Sequence, residues 1–237
     1  MVEEQGKRER RRFSLKSRKQ RVVVISFLIC VLLCSCSSFD VSEYVKAVLD
    51  SSYKNQTEMY KELTGITDAD ARKIFQNNLD VTMQAFKSEK LSTELEMQYR
   101  ELFGQILKQV KYSVGEAQKE KNGNYQIIVT IEPITLFDDT YYSFQAEAEV
   151  YAKNITDAVM NGEPMPSDEE IQEQVYQLYY NILKNAVDSG VKYGQAEDIK
   201  LHIEKKDRKT YEIRKEDLQK LDGKLISRKL LLEDEHS

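Results

Sequence analysis

Cysteines, histidines and paired carboxylates do most covalent and acid–base chemistry in proteins, and this chain distributes them unevenly. All three cysteines, Cys30, Cys34 and Cys36, sit at the end of one apolar run, VVVISFLICVLLCSC. The two histidines are far apart, His202 among Lys and Glu in an alternating stretch and His236 in the tail LEDEHS. Such isolated histidines support neither a His-based triad nor a zinc site, and His202 is expected as solvated surface. No His-Glu-x-x-His, Gly-x-Ser-x-Gly or Gly-rich phosphate loop occurs. No metal and no cofactor is expected. The best carboxylate pair is Asp138-Asp139, between a predicted strand and TYYSF, where two acids could serve a hydrolase. Acids favour helix N-termini, and this is the favoured explanation of the pair and of Asp68, Asp70 and Asp168-Glu169-Glu170. The remaining candidates are aromatic. The chain has 14 Tyr and no Trp. Tyr141, Tyr142, Tyr151, Tyr176 and Tyr180, with Tyr179 beside them, fall on two neighbouring predicted helices. They could form a binding surface, stacking on sugars or packing on a partner, or they could simply fill core and boundary positions.

Residues 1–21 carry nine Lys or Arg and three Glu, a net of +6. Val22 to Cys34 then run without a charge. A helix of that length rises about 20 Å, short of the roughly 30 Å hydrocarbon core, so the pattern matches a secretory signal more closely than a membrane span. The basic flank stays inside, and the chain downstream of the apolar run is exported. Cleavage favours a small residue just before the cut. Cys34 follows Leu33, whereas Cys36 follows Ser35.

LCSC therefore resembles the lipobox of bacterial lipoproteins, with Cys36 as the lipid-modified residue. That resemblance covers residues 1–36 and implies a diacylglyceryl group on the Cys36 thiol and cleavage of the bond before it. The alternative is an uncleaved anchor, with the uncharged run extended to Phe39. RRFSLK, Arg11 to Lys16, also resembles a twin-arginine export signal, although Ser14 stands where that motif prefers Phe. With a lipidated Cys36, no free thiol and no disulfide remain to stabilise the exported part, so its stability must come from its core.

The elements that must position any site are set by periodicity. Asp40 is a predicted N-cap, with Phe39 stapled on Tyr44 and apolar residues at 41, 44, 45, 48, 49 and 53. Thr67 to Asp70 opens a second helix bearing Ile74, Leu79, Val81 and Phe86. Ser92 or Thr93 opens a third, with Leu95, Tyr99, Leu102, Phe103, Ile106, Leu107 and Val110 on one face. The period then changes to two around Asn122-Gly123, predicting a hairpin whose second strand, Tyr125 to Ile131, ends at Pro133. Residues 139–160 fit both periods, and their Ala and Glu content favours helix, ended by Gly162. Ser167 with Glu170 forms a capping box for a helix running to Gly190. Tyr176 and Tyr180 widen the apolar face of that helix, which predicts a central position. Asp198 to Ile213 reads as a second hairpin, and Lys215 to Leu221 as a short helix.

The expected architecture is α+β, with helices packed on an antiparallel sheet built from two β-hairpins. Residues 1–35 are a signal peptide, 36–38 the lipidated cysteine and a short tether, 39–227 a single domain, and 228–237 an acidic tail. From Cys36 onward 26 basic residues face 37 acidic ones, a net of −11. That charge argues against nucleic acid and against close contact with anionic lipid. With FDVSEYVKAVLDSSYKNQ after the cysteine, the chain resembles the small uncharacterised lipoproteins of Gram-positive bacteria. The resemblance implies a protein held by its lipid at the extracytoplasmic face of the cell membrane, with an unknown protein or cell-envelope ligand. A non-catalytic binding or interaction module is the favoured function. The alternatives are a hydrolase using paired carboxylates and a solute-binding lipoprotein, the latter disfavoured by the absence of parallel βαβ alternation.

Overall fold

The computed structural model describes residues 39–86, 91–206 and 210–227. The three cysteines, the tether and the acidic tail lie outside the described residues.

The chain enters on a capped helix. Asp40 Oδ1 accepts hydrogen bonds from the backbone N–H groups of Ser42 (2.8 Å) and Glu43 (3.1 Å), opening α1, Val41–Leu49. Phe39 packs on Tyr44 with ring centroids 5.5 Å apart, as the staple requires, and also stacks on Tyr211 at 4.7 Å. Val41, Tyr44, Val45, Ala47, Val48 and Leu49 are all buried, which makes α1 a central helix. It widens into a π-helical turn, Asp50–Lys54, that ends at Asn55 in the left-handed region (φ 56°). The short α2, Glu58–Thr64, follows, then α3, Asp68–Phe86, and α4, Thr93–Leu107. Thr67 Oγ1 accepts from Asp70 N–H at 3.2 Å, and Ser92 Oγ from Leu95 N–H at 3.2 Å, so both helix starts lie where the sequence puts them. On α3 the buried stripe is Ala71, Phe75, Leu79 and Met83, while Ile74 and Val81 are only half-buried.

The sheet consists of β1 (Lys111–Val114), β2 (Gln118–Lys119), β3 (Tyr125–Glu132), β4 (Glu197–Lys205) and β5 (Tyr211–Ile213). Its order is β1-β3-β4-β5, with β2 also pairing β3, and every pairing is antiparallel. The two predicted hairpins thus join in one sheet through β3 and β4. Asn122 Oδ1 accepts from Asn124 N–H (3.0 Å), and Gly123 takes the positive φ of 87° that the turn needs. Ile127, Val129 and Ile131 of β3 and Ile199, Leu201 and Ile203 of β4 are buried, which fixes the register. The other face is polar, with Thr130 donating to Asp198 across the paired strands (2.6 Å). Helix α7, Lys215–Leu225, buries Leu218, Leu221 and Leu225 and runs longer than its sequence pattern indicated.

Two long helices stand apart in character. α5, Leu136–Met160, confirms the helical reading of the ambiguous segment, and at 1.5 Å per residue its 25 residues reach about 37 Å. Only Leu136, Phe137 and Thr140, all in its first turns, are buried. α6, Asp168–Asp188, is opened by the predicted capping box, and Gly190 follows its end with φ 96°. Its expected central position is not observed: only Leu183 and Val187 are buried. The wide apolar face of α6 is divided between α5 and α4, and neither covers it fully. The pair forms a helical arm that leaves the body at the start of α5, while α6 is tied to α4 at Glu173, Tyr176 and Tyr180 and buries Leu183 and Val187 near its end.

Candidate interaction surface

The arm concentrates the charge of the molecule. Residues 136–188 contain eleven Asp or Glu and two Lys, a net of −9 out of the −11 carried from Cys36 onward. Both lysines are paired within their own helix, Lys153 with Asp157 at 2.5 Å and Lys184 with Asp188. Glu147, Glu149, Glu163, Asp168 and Glu169 are exposed. Beside them the arm exposes Val150, Val159, Met160 and Met165, with Met160 80% and Met165 62% accessible. Met160 and Met165 flank the turn between the helices. The signal for this feature was present in the sequence, as two methionines around Gly162 in an acidic stretch, but apolar residues next to a turn are ordinarily read as helix-end packing.

The predicted tyrosines fall on different sides of the arm. Tyr176 and Tyr180 meet Tyr99 of α4 edge-on, with centroids 6.3 and 5.4 Å apart, and the Tyr99 hydroxyl donates to the Tyr176 carbonyl (2.7 Å). Tyr179 packs on Phe144 at 4.7 Å, closing the seam between α5 and α6. Tyr141 and Tyr142 touch each other at 5.2 Å near the base of the arm, where Tyr142 is 67% exposed, and Tyr151 is half-buried farther out. The structure therefore brings Tyr176 and Tyr180 together around Tyr99, and places Tyr141, Tyr142 and Tyr151 elsewhere along α5. Ser92 ties α6 to the start of α4: its N–H donates to Glu173 Oε2 at 3.1 Å, and its hydroxyl bonds the same carboxylate.

The carboxylate pair is engaged locally. Asp139 accepts from Thr135 Oγ1 at 2.8 Å, and Asp138 accepts from the Ser227 hydroxyl. Both lie in the first turn of α5, where the helix dipole favours acids. His202 corrects its expectation as solvated surface. It is half-buried, with Nδ1 2.7 Å from Asp217 Oδ2, and the same oxygen accepts its backbone N–H. Leu201 and Ile203 occupy the opposite, buried face, as their alternation predicts. Among the described residues no group of three or more His, Cys, Asp and Glu is placed to hold a metal ion.

Two polar pairs inside the body were not visible from sequence. Asp50, in the π-helical turn, accepts from the Tyr112 hydroxyl (2.6 Å) and from Lys46 (2.5 Å), with Lys54 at 3.5 Å. Burial pushes its pKa up, but the hydrogen bonds from Lys46 and Tyr112 and the charges of Lys46 and Lys54 outweigh burial, so the net shift is downward. The Tyr53 hydroxyl donates to Asp222 of α7. Burial raises Asp222 to about 6, against the lowering effect of that hydrogen bond, and burial together with Asp222 holds Tyr53 well above the usual phenol range. An open groove of about 490 Å³ runs between α3 and α4, floored by Phe75, Leu79 and Gly104. Its Arg100 is held by Asp80 (2.6 Å) and Gln76 (3.0 Å).

No family model matches this chain, and no curated protein matches it in sequence. Its fold is similar to the crystal structure of a candidate lipoprotein, ycdA, from Bacillus subtilis, with a TM-score of 0.56 at 10% identity. The likeness covers 79% of this chain and 56% of that one, so the chain spans little more than half the length of that protein. At this identity the similarity is one of fold. No helix among the described residues is long and apolar enough to cross a membrane.

Proposed function

We propose that this chain is an exported lipoprotein, held by a lipid on Cys36 at the extracytoplasmic face of the cell membrane, and that its folded part is a non-catalytic binding module working through the α5–α6 arm. The observation that carries the reading is the arm itself. More than forty residues of helix are ordered with few of their side chains buried, and the acidic and apolar groups they display do not contribute to the core. Support for the anchor comes from the basic flank, the apolar run and LCSC, and from the fold shared with a protein that is itself a candidate lipoprotein. The non-catalytic reading is supported by Asp138 and Asp139, each already bonded to a neighbouring hydroxyl.

The test uses the full chain expressed in a Gram-positive host. Metabolic labelling with a fatty acid is expected to survive Cys34→Ser and to vanish in Cys36→Ser. In a chain carrying Cys30→Ser, Cys34→Ser and Met160→Cys, a membrane-impermeant maleimide is expected to label the arm in intact cells. Label that persists in Cys36→Ser, or a thiol that reacts only after lysis, contradicts the reading.

A further inference from the structure

We propose that the tip of the α5–α6 arm docks a cationic protein surface bearing an apolar pocket, with Met160 and Met165 as anchors and the surrounding acids as the steering field; this rests on the arm being the working surface.

Rigidity is the first ground. The turn is closed by backbone bonds from Gly162 N–H to the Val159 carbonyl and from Glu163 N–H to the Ala158 carbonyl, both 3.0 Å. Gly162 takes φ 92° at no steric cost. Pro164 and Pro166 restrict the segment beyond it, and the Ser167–Glu170 capping box fixes where α6 begins. The tip is therefore preorganised, and less ordering entropy is lost when it binds. The second ground is composition. Two exposed methionines on a rigid turn, with Val159 also exposed, are the flexible thioether groups that fill irregular pockets.

Charge selects among occupants. An anionic lipid surface would be repelled by the arm, which carries −9. A second copy brings the same acidic arm, and the rest of the chain from Cys36 onward nets only −2, so it offers no cationic complement in bulk. A basic protein surface satisfies both the field and the apolar tip. Glu147, Glu149, Glu163, Asp168 and Glu169 would speed encounter and make it salt-dependent, while the methionines would set the off-rate.

The experiment uses the processed chain purified from membranes in a neutral detergent. The probe is a synthetic amphipathic Leu/Lys helix, compared with a Leu/Glu helix and a Lys/Ser peptide of equal charge but no apolar face. The Leu/Lys helix is expected to bind, the Leu/Glu helix not to bind, and the Lys/Ser peptide to bind at least about tenfold more weakly. Met160→Ser with Met165→Ser should weaken Leu/Lys binding about tenfold or more, whereas Met97→Ser, an exposed methionine on α4, should leave it unchanged. Equal binding of the Lys/Ser peptide, or an unchanged double methionine variant, overturns the proposal. So does methionine-dependent binding to phosphatidylcholine vesicles, which would make lipid the occupant, or a dimer in sedimentation that the double variant abolishes. Amide exchange locates the probe and separates the two levels. Protection on the α3–α4 groove instead of the arm defeats the reading of the arm itself, whereas protection on the arm that survives the methionine changes defeats only the anchor assignment.

Discussion

The buried pair of Tyr53 and Asp222 ties the stability of the body to pH. Burial raises the Asp222 carboxyl from 3.8 to about 6, so the native state binds this proton more tightly than the unfolded chain. The stability it contributes is fully present below pH 3.8 and is lost as pH rises through about 6. The shift corresponds to about 3 kcal/mol at most. Asp222→Asn keeps an acceptor for Tyr53 and removes the titration. Thermal melts across this range should therefore show the variant gaining on the parent as pH rises, and a constant difference in melting temperature would count against the assignment. Asp50 acts in the opposite sense. Burial raises its pKa, but the lysines and Tyr112 lower it overall, so its contribution is present above pH 3.8 and is lost on further acidification. Asp50→Ala would leave the Tyr112 hydroxyl without its acceptor, and a loss of about 1–3 kcal/mol in urea melts at neutral pH is expected. None of this was legible in the sequence. Tyr53 and Asp222 are 169 positions apart, Phe39 and Tyr211 are comparably distant, and no local pattern announces such pairs.

At the scale of elements the sequence was far more informative, because caps and periods are local. Asp40, Thr67, Ser92 and Ser167 open the helices where their side-chain chemistry places them. Alternation in Tyr125 to Ile131 and Leu201 to Ile203 set both the strands and their buried face. The error over α6 has a physical cause. A wide apolar face measures how much of a helix is to be covered but not by what, and α6 divides that face between α4 and α5 instead of burying it under the sheet. His202 was misread for a related reason: its partner Asp217 comes from the helix after β5, which strand alternation does not reveal. The exposed length of α5, unlike the closed turn at its end, should also open readily. Amide exchange in α5 beyond Thr140 should be faster than in α4 or β3. Ser167→Ala, which removes one half of the capping box, should cost about 1 kcal/mol locally. That loss should appear as faster exchange in the first turn of α6 with little change in global melting. A uniform drop in protection across the sheet would mean that the arm and body open as one unit.

As a whole molecule, the chain divides its physical tasks. Helices α1, α3, α4 and α7 and the inner face of the sheet supply most of the buried apolar surface, while the arm carries −9 of the −11 from Cys36 onward and, among the described residues, most of the large exposed apolar side chains. Asp40, the cap of α1, follows the proposed lipid site Cys36 by four positions in sequence, a length of chain that can reach at most about 14 Å. A body held so near the membrane, with an acidic arm repelled by anionic headgroups, would present the arm away from the bilayer. High salt should therefore weaken association at the arm and leave the melting temperature of the body almost unchanged. The most direct test of the arm as the working surface is site-specific photo-crosslinking in intact cells, with the probe placed in turn at Met160, Met165 and Tyr142 on the arm and at Met97 and Ile128 on the body, all of them exposed. The same adduct is expected from the arm-tip positions, weakened by high salt, and none from the two body positions. Adducts from Met97 or Ile128 with a silent arm tip would contradict that expectation.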